Sequence, residues 1–132
     1  MDRRVNQTSE PQETAPPEPD DMVTVAVRAA SDKKATDIVV LDLRKVASFT
    51  EYFFICTAAS ARQAQAISNA VEEELLKHRK RPLHIEGYSS AEWILLDYGD
   101  FIVHVFGKAS RRFYDLERLW RDAPRIEVKS DE

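Results

Sequence analysis

Apolar residues recur at helical spacing most clearly between residues 60 and 82. Ala64, Ile67, Val71 and Leu75 fall on one side of a helix. Ser60 with Gln63 three residues later forms a capping box at its start, and Pro82 stops any continuation. An earlier stripe, Val23, Ala26, Val27 and Ala30, predicts a first helix from Met22 to about Ser31, with Asp20 or Asp21 as its cap, although Thr24 and Val25 also suit a strand. Two runs carry the signature of strands apolar on both faces: Asp37 to Leu43, rich in β-branched residues, and Tyr52 to Thr57. Both faces must then be covered, which predicts central positions in a sheet.

Three further strands are expected at Leu83–Glu86, Trp93–Tyr98 and Phe101–Phe106. Gly99-Asp100 joins the last two, and glycine at the first of two turn positions signals a type II′ hairpin. Such a turn fixes the register. Tyr98, Leu96 and Ile94 then face Phe101, Val103 and Val105, an apolar set that must be core. The opposite face pairs Asp97 with Ile102, Leu95 with His104, and Trp93 with Phe106. A final helix is expected from a Ser110 cap to about Arg121, with Phe113, Leu116, Leu119 and Trp120 on one side. The order α-β-β-α-β-β-β-α predicts an α/β fold, one domain with a five-stranded mixed sheet and helices packed on it.

Composition refines this picture. The 132 residues suffice for one core only. Residues 1–20 hold Pro11, Pro16, Pro17 and Pro19 among acids and polar residues, and read as a disordered leader. The domain itself spans 21–122, and 123–132 reads as a polar tail. The six acids of residues 1–21, set against Arg3 and Arg4, account for the whole net charge of −4. The body therefore has no basic surplus, and a strong counterion-driven grip on nucleic acid is not expected. No apolar run is long enough for a membrane span, and the leader suits neither a secretory nor a mitochondrial signal, so a cytoplasmic location is expected.

No nucleophile elbow, P-loop or dinucleotide motif occurs, and Gly87, Gly99 and Gly107 are too scattered to cradle phosphate. No catalytic residue, cofactor or metal site is therefore expected. Cys56, the single cysteine, reads as a buried inert thiol. The alternative is a nucleotide-binding or nucleotidyltransferase-type enzyme in which Asp97 and Asp100, joined by Asp42, hold magnesium. Turn acids are more often plain turn formers. Lys77 to Arg81 reads first as a solvated helix end and second as an RNA-phosphate contact.

The Trp93 face of the hairpin has two readings. Either the last helix lies across it, or part of it stays open for a partner, with Trp93 as an anchor.

Taken together, the two apolar strands with Ser60, Glu86-Gly87 followed by Trp93 to Asp100, Val103-His104-Val105-Phe106, and Arg111 to Trp120 resemble the ribosomal silencing factor (Iojap-like) family. The likeness spans about residues 22–121. Glu51 stands where that family usually has Asp, with the charge kept, and the acidic leader is not a family feature. The resemblance implies a nucleotidyltransferase-like shape without that activity. It implies binding to ribosomal protein uL14 on the large subunit, a steric block to small-subunit joining, repression of translation under nutrient limitation, and a homodimer when free. It also favours the open reading of the Trp93 face. The partner-binding residues expected are Trp93, Leu95, Asp97, Ile102 and His104, with Tyr98, Arg111 and Tyr114 as neighbours.

Overall fold

A computed structural model of the chain describes residues 21–128. The expected leader and the last part of the tail lie outside the described residues. The elements run α1 (Asp21–Asp32), β1 (Thr36–Asp42), β2 (Tyr52–Ala58), α2 (Ala61–Lys77), β3 (His84–Glu86), β4 (Trp93–Asp97), β5 (Phe101–Gly107), α3 (Lys108–Tyr114), α4 (Leu116–Leu119) and β6 (Arg125–Ile126). They form a six-stranded sheet in the order β3-β4-β5-β2-β1-β6. β2 and β5 pair in parallel, and the other neighbours are antiparallel.

The sheet has five expected strands and one more. β6 sits inside the expected polar tail, where Ile126 pairs with Val40 and Arg125 with Leu41. Two residues are too few to show an alternating pattern, so only the pairing reveals them. The expected last helix is two. Asp115 takes a left-handed conformation, φ 49°, and separates α3 from α4. No glycine or proline marks that break. α3 also starts at Lys108, two residues before the expected Ser110 cap, with Gly107 in the cap position and no side-chain bond there.

The helix stripes go where spacing sends them. Val23, Ala26, Val27 and Ala30 of α1, and Ala64, Ile67, Val71 and Leu75 of α2, are fully buried. They pack with Phe54, Cys56, Ile94, Leu96, Val103 and Val105 from one face of the sheet. β2 is buried along its whole length, as a strand apolar on both faces requires. The other face carries a second cluster: Leu41, Leu43, Phe53, Ile55, Ile102 and Phe106 against Leu116 and Ala123.

The capping box forms. Ser60 Oγ accepts from Gln63 N at 3.1 Å, and the Gln63 side chain reaches back to accept from Ala59 N. The same amide donates to the carbonyls of Lys33 and Lys34, at 2.9 and 3.1 Å. One side chain thus ties the start of α2 to the end of α1. No helix among the described residues is long and apolar enough to cross a membrane.

Candidate functional site

The hairpin has the expected register: Trp93 opposite Phe106, Leu95 opposite His104, Asp97 opposite Ile102. Gly99, at φ 88°, supplies the positive dihedral the turn needs. Gly87 fixes the other end of β4. A Cβ there would lie 2.0 Å from the carbonyl oxygen of Trp93, so only glycine lets the two backbones approach.

Trp93 is half-buried, and its environment is specific. Its ring lies 4.9 Å from Phe106 in a stacked arrangement and 4.5 Å from Tyr114 of α3. Its Nε1–H donates to His104 Nδ1 at 3.1 Å. His104 must then carry its own proton on Nε2, which is buried with no hydrogen-bond partner among the described residues. Phe53 meets the imidazole edge-on at 4.5 Å. Burial holds the His104 pKa down to about 3, so the ring is neutral.

These contacts belong to a longer seam of rings across the face. Phe113 touches Tyr114 (4.9 Å), and Phe53 continues from His104 to Trp120 (5.9 Å), which touches Phe49 (5.9 Å). Both ends are open to solvent: Phe113 is 79% exposed and Phe49 57%. Tyr114 and Leu119 are exposed as well. The last helical segment therefore covers part of the face, while Trp93 and Leu95 keep partial access to solvent.

Comparison with known proteins gives this face its context. The family described as ribosomal silencing factor during starvation matches residues 16–132. The chain belongs to the ribosomal silencing factor family. It is 38% identical over 109 residues to a ribosomal silencing factor of Halalkalibacterium halodurans, covering 83% of this chain and 93% of that one. A mouse relative, named for mitochondrial assembly of the ribosomal large subunit, is 29% identical over 74% of this chain and 44% of its own. A crystal structure of a Chromobacterium violaceum protein is similar with a TM-score of 0.76 at 33% identity, covering 88% of this chain and 92% of that one.

Within this silencing-factor domain the expected partner-binding residues separate by position. Trp93, Leu95, Asp97, Ile102 and His104 share one face, and Tyr114 leans on Trp93. Ile102 and His104 are almost covered, at 9% and 3% exposure, so they support the surface from below. Tyr98 lies on the opposite face, buried and stacked on Phe101 at 5.0 Å. Arg111 is also turned away. Its guanidinium grips Glu117 through two bonds (3.2 and 2.9 Å) and donates to the Asp37 carbonyl (2.6 Å) and Thr57 Oγ1 (2.8 Å). The Arg111 bond holds the Glu117 carboxyl below its ordinary range.

The three acids of the alternative reading each have other work. Asp42 accepts from Arg44 Nε and Nη2 at 2.9 and 2.8 Å. Asp97 Oδ1 accepts from Gly99 N at 2.8 Å, which braces the hairpin turn. Asp100 pairs with Lys80 at 3.4 Å. Among the described residues, no three His, Cys, Asp or Glu side chains are grouped to hold a metal. Cys56 is buried, and burial pushes its thiol up to about 12.

Neither Phe49 nor the exposure of Phe113 follows from the sequence pattern. Phe49 sits in the loop between β1 and β2, where no periodicity applies. Phe113 was expected on the packed side of one continuous helix, and the break at Asp115 is what changes its neighbours.

Proposed function

We propose that this chain silences translation by occupancy rather than by catalysis. It docks on the large ribosomal subunit through ribosomal protein uL14 and blocks joining of the small subunit when nutrients are limiting. It works in the cytoplasm, where ribosomes are. The observation that carries this reading is the half-exposed indole of Trp93, flanked by Leu95 and Tyr114. His104 satisfies its N–H internally. The ring is thus free to bury apolar surface against a partner without stranding a donor. The names of its relatives support the ribosome, and that of the mouse relative supports the large subunit. Asp97 lies on the same face at the other end of β4, beyond Leu95, and would orient a basic or hydroxyl group of the partner. A minor RNA contact through Lys77 to Arg81 is a secondary part of the reading.

The test is Trp93→Glu. A central tryptophan carries roughly 2–4 kcal/mol, so the variant should lose at least about 30-fold in affinity for isolated large subunits. Co-sedimentation reads the loss, with circular dichroism showing a native fold. A folded variant that still co-sediments removes the proposed site. In a subunit-joining assay, the unsubstituted protein should slow association and the variant should not.

A further inference from the structure

A second recess lies away from the Trp93 surface. β2 and β5 run parallel and end side by side, Ala58 opposite Gly107. The chain then leaves them in opposite directions. After β2 it enters α2, packed on one face of the sheet; after β5 it enters α3, on the other. In open α/β sheets, such a divergence at the carboxyl ends of adjacent strands leaves a crevice, and ligands bind there. On the α3 side of this divergence, over the start of β1, lies a cleft of about 570 Å³ reached by Thr57, Lys108, Arg111, Arg112 and Arg125.

Its charges sort into two groups. At the floor, Arg111 and Glu117 neutralise each other, and Arg111 has spent nearly all its donors on Glu117, Thr57 and the Asp37 carbonyl. At the rim stand Lys108, Arg112 and Arg125. Lys108 and Arg112 are exposed and have no partner among the described residues. Arg125 lies 3.8 Å from the already paired Glu117, with its side chain 62% exposed. Asp37 is the one acid in the lining besides Glu117. The rim therefore has a surplus of positive charge in a body that is neutral overall. The half-buried Val39, packed with the second cluster, supplies an apolar wall.

We propose that this cleft is a nucleotide site, with the rim cations holding the phosphate groups and Val39 flanking the base. Arginine suits this role because its planar fork binds phosphate oxygens in pairs. A concave cleft with one apolar wall fits a small phosphorylated molecule better than a polymer backbone, which would need a track of cations.

The experiment is calorimetry on the full chain at low ionic strength, with GTP, ATP and inorganic pyrophosphate as probes. The expected result is saturable one-to-one binding below millimolar concentration. Pyrophosphate should compete, and Arg112→Ala and Arg125→Ala should each weaken binding roughly tenfold. Both side chains are exposed, so circular dichroism should be unchanged in the variants. Absence of saturable heat up to millimolar probe overturns the proposal. So does binding that neither variant weakens. A ten-nucleotide single-stranded RNA that binds tighter than the nucleotides and resists pyrophosphate would also overturn it, by making the rim a polymer contact.

Discussion

At the scale of one residue, His104 shows how a buried polar group can serve a surface it does not reach. Its Nδ1 takes the indole proton of Trp93, and burial keeps the ring neutral. The folded-state pKa of about 3 lies below the unfolded value near 6.5, so unfolding takes up a proton at mildly acid pH. The stabilisation is complete above about pH 6.5 and is lost as pH falls toward 3, at up to about 1.4 kcal/mol per pH unit. Between pH 7.5 and 5 this group alone should cost about 2 kcal/mol, read from urea midpoints. His104→Phe should flatten that interval. Equal slopes in both proteins would mean that His104 is protonated in the fold. Asp42 and Glu117, both held low by arginines, add a further loss only at more acid pH. Sequence placed His104 on the same face as Trp93, because hairpin register is a local matter. It could not show that the imidazole lies beneath the indole, since that depends on Phe53 from a strand half the chain away.

At the scale of elements, the signals that were legible were those with a period or a dedicated turn residue. The stripes of α1 and α2, the Ser60–Gln63 cap and the Gly99 turn all stand as read. The ends chosen by tertiary contact were not legible. α2 closes with a pair of bonds, Arg79 N to Leu76 O at 2.8 Å and Lys80 N to Leu75 O at 3.0 Å. This is the closure that usually places glycine in the left-handed position, yet Arg79 occupies it at φ 62°. Arg79→Gly should therefore stabilise the protein by about 0.5–1 kcal/mol, after allowing for the greater freedom of glycine in the unfolded chain. A rise in thermal midpoint is the expected outcome. A fall would show that the Arg79 side chain contributes more than its backbone strain costs. The break at Asp115 is the same kind of event in a place with no glycine to announce it, which is why one helix was expected where two exist.

At the scale of the whole molecule, the two faces of the sheet are treated unequally. One is sealed by α1 and α2; the other is covered only in part, and its ring seam runs out to Phe113 and Phe49 in solvent. A free monomer would leave that apolar surface wet, and a second copy could cover it. Dimerisation and docking would then compete for one surface. Sedimentation equilibrium should show a concentration-dependent dimer, and Phe113→Glu should weaken self-association at least tenfold. A Phe113→Glu protein that dimerises as before would place the self-contact elsewhere.

The short pairing of Arg125 and Ile126 with β1 has a consequence for any shortened version of this chain. It lies along the outer margin of β1 opposite Val40 and Leu41, and Asp42 N is satisfied by the Pro124 carbonyl at 2.8 Å. Truncation after Ala123 would leave that margin of β1 bare, a template onto which strands from other molecules can add. The shortened protein should form fibrils or precipitate on storage while its indole surface is still intact, so a modest closing stitch is what keeps this sheet from growing sideways.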